Sequence, residues 1–139
     1  METQELLLLQ NARFYEAFEH ADMEAMASVW AHDEHVRCIH PGWAAATGWE
    51  AVRAGWEAVF AGGAALRFSL RNVRGRVFDR VGVVFLREEI VFTGDTVRQT
   101  VGTETTNVFL FDGGEWRMVL HHASPVVAVD AGDLTYRFN

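Results

Sequence analysis

Two histidine positions carry the side chains best suited to proton transfer in this chain. His40 stands directly before Pro41 at the end of a short predicted strand, and His121 and His122 lie together in the last strand. A histidine side chain can accept or release a proton near neutral pH, so each position suits a general acid or base. His121 and His122 face opposite sides of the sheet because they are strand neighbours. The alternative at each position is a histidine that only hydrogen-bonds its surroundings.

Arg87 and Glu89 form a second candidate group. They lie two residues apart in a predicted strand, on the same face as Val83 and Phe85, whose side chains are typical of a core. A guanidinium inside a protein requires a partner. The spacing therefore predicts either a structural ion pair between Arg87 and Glu89, or an anion site in which Arg87 binds a carboxylate with two hydrogen bonds.

Metal and cofactor motifs are missing from the sequence. His40, His121 and Glu89 are the residue types of a two-histidine, one-carboxylate metal site, but no H-x-H or H-E-x-x-H spacing supports one. The sequence also has no glycine-rich phosphate loop, no G-x-S-x-G motif and no cysteine pair. We therefore expect any chemistry to proceed without a metal or cofactor.

Helical patterns dominate the first half of the chain, and strand patterns dominate the second. The predicted helices are 3–21, a short helix from its N-cap Asp22 to Trp30, and one that starts at the capping box of Thr47 and Glu50 and ends at Gly62. The predicted strands are 35–40, 66–78, 81–93, 96–111 and 115–126, with turns at Gly94-Asp95 and at 112–114. Helices followed by strands indicate an α+β fold, here one domain over residues 1–139.

Composition and charge exclude several classes of partner. The 139 residues carry a net charge of −7, which disfavours nucleic acid and anionic membrane surfaces. No apolar run approaches the roughly 20 residues needed to span a bilayer. The single cysteine, Cys38, suits a reducing compartment and is expected to be a buried structural thiol. These features predict a cytoplasmic protein with no nucleic-acid or membrane partner.

Both faces of the strand from Val81 to Thr93 are largely apolar. In an antiparallel sheet this indicates that both sides are covered. The helices can cover one side, so we expect a second copy of the chain to cover the other and form a homodimer. The alternative is that the C-terminal tail, from Val127 onwards, covers it.

The order of elements and three stretches of sequence resemble the nuclear transport factor 2-like superfamily and its SnoaL-like subgroup. The chain is also similar to the association domain of calcium/calmodulin-dependent protein kinase II and to ketosteroid isomerase. The resemblance covers about residues 10–127. Its stretches are Phe18–Met26 with Trp30–Asp33, His40–Trp43 with Gly48–Arg53, and Thr106–Phe109 with Gly114–Val119 and His121–Pro125. It implies a cone-shaped, curved antiparallel sheet with three N-terminal helices, around a pocket for a small organic ligand.

The resemblance to ketosteroid isomerase carries over only in part. The position of its aspartate base is His40, and its buried acid falls at Asn107, whose amide can still donate a hydrogen bond. Its oxyanion-binding tyrosine falls at Phe14, which has no hydroxyl and is expected to contact the ligand only through its ring. Steroid isomerisation by the usual mechanism is therefore not expected.

The association domain and the shape of the fold supply the other expected pocket residues. Arg87 aligns with an inward arginine of that domain, whose other two pocket arginines fall at Asn107 and Ala123. The resemblance places His121 inward. Trp43 lies in the loop expected to cover the pocket, and Trp56 on the third helix is the second expected apolar ligand contact.

Two functions remain open from the sequence. The first is an acid–base enzyme, an isomerase, dehydratase or cyclase, in which His40 and His121 transfer protons and Arg87 and Asn107 hold an apolar or carboxylated compound. The second is a non-catalytic module that binds a ligand or self-associates. Such folds host many chemistries, so the fold alone does not decide between them.

Overall fold

A computed structural model describes residues 3–94 and 98–127 of the chain. Three helices are followed by a strand-rich half, with two short strands before the third helix. The elements are α1 (Thr3–Glu19), α2 (Met23–Val29), β1 (Arg37–Ile39), β2 (Ala46–Thr47), α3 (Trp49–Ala61), β3 (Ala65–Phe78), β4 (Val81–Thr93), β5 (Arg98–Asp112) and β6 (Glu115–Pro125). The α+β architecture with three N-terminal helices is as predicted, whereas β2 was not anticipated. Asp95 of the predicted Gly94-Asp95 turn and the tail beyond Val127 lie outside the described residues.

The helix starts follow local chemistry. The side chain of Asp22 accepts a hydrogen bond from the backbone N–H of Ala25 at 3.0 Å, which confirms its prediction as the N-cap of α2. The predicted capping box at Thr47 and Glu50 is wrong. Gly48 is the N-cap of α3, with φ +86° and no side-chain cap, a backbone conformation that glycine adopts without strain.

The six strands form one sheet in the order β2-β1-β6-β5-β4-β3. The long strands β3 to β6 pair antiparallel as predicted, but β1 pairs parallel with β6, so the sheet is mixed. This parallel pairing sets Cys38 beside His121 and Ile39 beside His122. It brings the end of β1, where His40 lies, next to the histidines of the last strand.

The interior face of the sheet packs against the helices, and the opposite, outer face leaves Phe85 and Leu110 exposed among the described residues. On β4 the interior side chains alternate with the outer ones, and Val84, Leu86, Glu88 and Ile90 are the buried set. The helix α1 lies so close to this face that a Cβ at Gly82 would meet Cδ1 of Leu7 at 2.6 Å. The core between sheet and helices is strongly aromatic, with Phe14, Phe18 and Trp56 in edge-to-face contact.

None of the helices among the described residues is both long and apolar enough to cross a membrane.

Candidate functional site

Polar side chains from five elements meet inside the aromatic core. All of them are buried, which is unusual for such residue types. We therefore take this place as the candidate functional site. These side chains are Asn11 and Tyr15 of α1, His40 after β1, Glu88 of β4, Thr103, Thr105 and Asn107 of β5, and His121 of β6. We call this set the interior polar cluster.

A hydrogen-bonded chain crosses the cluster from β6 to β4. His121 Nδ1 lies 2.7 Å from Oδ1 of Asn107. Asn107 Nδ2 donates to Oδ1 of Asn11 at 2.9 Å and to the hydroxyl of Tyr15 at 3.2 Å. The Tyr15 hydroxyl in turn donates to Oε2 of Glu88 at 2.6 Å. These hydrogen bonds satisfy polar groups that would otherwise be costly to bury.

Glu88 is the buried acid of the cluster. Its Oε1 accepts from the hydroxyl of Thr103 at 2.8 Å, and Thr103 lies 2.8 Å from the hydroxyl of Thr105. Burial raises the pKa of Glu88, and the hydrogen bonds from Tyr15, Thr103 and Thr105 oppose that rise. Burial and the neighbouring Glu88 also raise the pKa of Tyr15 well above its usual value, so its hydroxyl stays protonated.

His40 is held beside the cluster by a tight turn. Pro41 and Gly42, the latter with φ +80°, form the centre of a turn closed by a 2.9 Å hydrogen bond from Trp43 N–H to His40 O. The turn sets the Trp43 ring 4.9 Å from the His40 ring, between centroids, and Trp56 contacts His40 from the other side at 4.6 Å. Trp43 is 49% exposed and His40 is 5% exposed, so a half-exposed indole packs against a buried imidazole.

Both interior histidines are neutral at physiological pH. Burial lowers the pKa of His40 to about 4. Burial, and then the neighbouring His40 and His122, lower the pKa of His121 well below its usual value. The two rings lie 6.2 Å apart between centroids. A neutral imidazole can accept a proton, which is the state a general base requires.

Trp56 has a buried donor with no acceptor. Its side chain is fully buried against Phe14, His40 and His121, yet its Nε1 has no hydrogen-bond partner among the described residues. Trp30 Nε1 is also unpaired, but Trp30 makes no ring contact with either of these histidines. A buried N–H without a partner costs about 1–3 kcal/mol, so the Trp56 donor needs an explanation.

The predicted pocket positions of Arg87 and Glu89 are wrong. Arg87 lies on the outer face, where its guanidinium covers Gly102, with Nη2 3.8 Å from the position of a Cβ there. Glu89 is on the same outer face and pairs with Arg71 at 2.8 Å, so the expected Arg87–Glu89 ion pair does not form either. The physical reason is the register of β4, which turns Glu88 inward and both of its neighbours outward.

The remaining predicted site residues lie in or beside the interior polar cluster. Phe14, Trp56, Asn107 and His121 are fully buried in or beside the cluster, and Trp43 covers His40 from the loop after β1. His122 faces the outer side and is exposed. Cys38 is buried, with its Sγ 3.6 Å from His40 Nε2, and burial raises the pKa of its thiol, which makes it unreactive.

Five cluster members were not predicted from the sequence: Asn11, Tyr15, Glu88, Thr103 and Thr105. Glu88 could have been found through its partner strand, because Glu88 lies directly opposite Thr103 of β5. On β5, polar residues Thr103, Thr105 and Asn107 recur every second position, which indicates a polar stripe on one face.

Within residues 3–94 and 98–127, no three histidine, cysteine or acidic side chains come together as metal ligands. The set of His40, His121 and Glu89, which no sequence motif supported as a metal site, is not assembled, because Glu89 lies on the outer face.

A separate surface cleft of about 470 Å³ lies between α1 and the β5–β6 hairpin. It is lined by Leu6, Leu9, Arg13, Trp116 and Arg117, among others, and neither His40 nor His121 contributes to it. The interior polar cluster is therefore distinct from this cleft.

This arrangement of three helices against a six-stranded sheet defines the class of nuclear transport factor 2-like proteins. Within that class, the chain belongs to the SnoaL-like domain family, whose model matches residues 9–128.

Two solved structures are similar in both sequence and fold. One is a proposed dehydratase of the nuclear transport factor 2-like family from Streptomyces avermitilis, at 30% identity and a TM-score of 0.84, covering 89% of this chain and 97% of that one. The other is a proposed calcium/calmodulin-dependent protein kinase type II association domain from Thiobacillus denitrificans, at 36% identity and a TM-score of 0.76. That match covers 85% of this chain and 93% of the other. The pair spans both functions left open by the sequence.

A plant protein is also similar. The F-box protein SKIP8 of Arabidopsis thaliana is 27% identical over 128 residues, which is 92% of this chain. The chain spans only 53% of the length of that relative.

Proposed function

We propose that this protein binds a small, apolar, neutral organic compound next to Trp56 and performs acid–base chemistry on it with His40 and His121. The observation that carries the proposal is the unpaired Trp56 Nε1, buried against both histidine rings. A ligand carbonyl or hydroxyl oxygen is the acceptor that this donor lacks. The neutral imidazoles beside it supply the base that an isomerase, dehydratase or cyclase requires.

The outward position of Arg87 narrows the ligand class. The expectation of a carboxylated ligand depended on Arg87 facing the interior. No arginine belongs to the interior polar cluster. The ionisable acid that does lie there is Glu88, which cannot supply the positive charge that a carboxylate requires. A neutral ligand with an oxygen acceptor fits this surrounding better than an anionic one.

Access to the site requires Trp43 to move. Trp43 lies on the loop after β1, half-exposed, and covers the ring of His40. The turn that carries it contains Gly42 at φ +80°, so rotation there carries a low steric cost. Displacement of the Trp43 ring would open the path from solvent to His40 and Trp56.

A screen of neutral aromatic ketones and enones by ligand-observed NMR tests this proposal. Trp56→Phe removes the indole N–H but keeps an aromatic ring, and Trp49→Phe is the matched control on the same helix. We expect compounds that bind the unmodified protein and the Trp49→Phe variant, but bind the Trp56→Phe variant at least about tenfold more weakly, as expected for loss of one hydrogen bond. Equal binding to all three proteins would reject the proposal.

Self-association is the second candidate function, and it is compatible with the first. Phe85 is 48% exposed and Leu110 is 42% exposed on the outer face, where Val83 and Val108 extend the apolar surface. We infer that a second copy of the chain covers this face and gives a homodimer. The alternative cover, the tail after Val127, lies outside the described residues. The cytoplasmic location and the lack of a cofactor or nucleic-acid partner stay predictions.

A further inference from the structure

Glu88 gives the hydrogen-bonded chain of the cluster a fixed direction. Both of its carboxyl oxygens accept, Oε2 from Tyr15 at 2.6 Å and Oε1 from Thr103 at 2.8 Å. Since both oxygens accept, neither of these hydrogen bonds takes its proton from Glu88. Tyr15 therefore commits its single hydroxyl proton to Glu88.

That commitment orients the amide of Asn107. With its proton directed to Glu88, the Tyr15 oxygen can only accept from its other neighbour, so it faces Asn107 Nδ2 at 3.2 Å. Asn11 Oδ1 accepts from the same amide nitrogen at 2.9 Å. The nitrogen of Asn107 is thus turned towards α1, and its oxygen is turned towards β6.

The orientation of Asn107 then decides which nitrogen of His121 carries the proton. Asn107 Oδ1 lies 2.7 Å from His121 Nδ1, and a carbonyl oxygen can only accept, so Nδ1 must carry the hydrogen. A neutral imidazole has one N–H, which leaves Nε2 as the basic nitrogen.

We propose that Glu88 is a positioning residue that acts through Tyr15 and Asn107 to hold His121 in the tautomer with a basic Nε2. The inference rests on the proposed function, since it assigns the atom of His121 that would accept a proton there. Without Glu88, Tyr15 could donate to Asn107 Oδ1, and the amide could turn its nitrogen to His121. The imidazole proton would then lie on Nε2, and that atom could no longer act as a base.

The tautomer is directly measurable in the 139-residue chain without a ligand. Long-range ¹H–¹⁵N correlation spectra at pH 7.5 separate protonated from bare imidazole nitrogens, and a His121→Gln variant assigns the signals. We expect a neutral His121 with Nδ1 protonated and Nε2 bare. A His121 that carries its proton on Nε2 would overturn the inference.

Two variants then test the role of Glu88. Glu88→Leu removes the acceptor, and Tyr15→Phe removes the link to Asn107 while leaving the carboxylate in place. Glu89→Leu is the matched control, since it removes the neighbouring carboxylate on the outer face. In both test variants we expect the ratio of the Nε2–H to the Nδ1–H form to rise by about twofold to tenfold, the effect of one net hydrogen bond. The control should keep the original ratio.

The outcomes separate this inference from the proposed function. If the folded Glu88→Leu and Tyr15→Phe variants both keep Nδ1–H as the only form, Asn11 or the protein around it fixes the tautomer, and the role of Glu88 is refuted. Should Glu88→Leu not fold, Tyr15→Phe alone decides. A tautomer that shifts as expected, in a protein whose ligand binding is unaffected by Trp56→Phe, would support the role of Glu88 and reject the proposed function.

Discussion

His121 and Asn107 lie on neighbouring strands, β6 and β5, with Nδ1 of the imidazole 2.7 Å from Oδ1 of the amide. The amide carries no charge, so it does not favour the imidazolium form, and burial lowers the pKa of His121. The uncharged amide at position 107 therefore leaves the lowered pKa of this buried histidine unopposed.

Asn107→Asp should raise the pKa of His121. A carboxylate in place of the amide oxygen stabilises the imidazolium, an effect of about 1–3 pKa units at hydrogen-bonding distance. The measurement is an NMR titration of His121 in both proteins. Asn72→Asp, the same change at an exposed position of β3, serves as control. An unchanged His121 pKa in Asn107→Asp would show that the two side chains do not interact in solution.

The stability of the protein should fall as the pH falls from about 6.5 to about 4, partly because of His40. Its pKa in the folded state is about 4, below the ordinary 6.5, so the unfolded chain binds more protons in this window. The contribution is complete above pH 6.5, and about 3 kcal/mol is lost by pH 4. His121, whose pKa is also lowered, acts in the same direction.

Urea unfolding of the His40→Gln variant measures this contribution. Glutamine can still form hydrogen bonds but does not titrate, so the variant should lose less stability than the unmodified protein between pH 7.5 and pH 4.5. His35→Gln, at an exposed histidine, should behave like the unmodified protein. Identical pH profiles for all three proteins would contradict the burial of a neutral His40.

Glu88 should act on stability with the opposite sign. Burial raises its folded pKa above the unfolded value, so its contribution is present below about pH 4.5 and is lost as the pH rises through the folded pKa. The stability of Glu88→Gln relative to the unmodified protein should therefore increase from pH 4 to pH 8. Glu89→Gln removes the neighbouring carboxyl group, which lies on the outer face. It should not show this increase, so the comparison isolates the effect of burial. If the difference in stability between Glu88→Gln and the unmodified protein does not change from pH 4 to pH 8, this carboxyl group is exposed to solvent.

Phe85→Glu should dissociate the inferred homodimer. It places a charge at the centre of the apolar outer face, opposite Thr106 on β5. Size-exclusion chromatography with light scattering should give twice the 15.6 kDa chain mass for the unmodified protein and the single-chain mass for the variant. Leu9→Glu, at a position 38% exposed on α1, should leave the dimer intact. A monomeric unmodified protein at micromolar concentration would rule the dimer out.

Most of the elements could be predicted from the sequence because their signals are local. Asp22 caps α2 as its residue type indicates, and the long strands match their predicted bounds within two residues. The capping box failed because Gly48, whose φ of +86° suits the chain reversal there, takes the N-cap position instead of Thr47. The parallel pairing of β1 with β6 joins residues some eighty positions apart, which no local pattern records.

The orientation of β4 could not be read from its pattern because both of its faces carry apolar residues. Val83 and Phe85 resemble a core as much as Val84 and Leu86 do, so hydrophobicity does not choose between the faces. The inward residue is Glu88, whose charge argues against burial until its partners Tyr15 and Thr103 are known.

The indole N–H signals of the tryptophans test the central claim most directly. In a ¹H–¹⁵N spectrum, Trp56 reports on the interior site, Trp43 on its cover and Trp116 on the separate cleft between α1 and the last hairpin. Addition of the neutral ketones and enones that bind should shift the Trp56 N–H signal, as its unpaired donor gains an acceptor, together with Trp43. If the compounds instead shift Trp116 and leave Trp56 unchanged, the ligand site is the surface cleft and the interior cluster is structural.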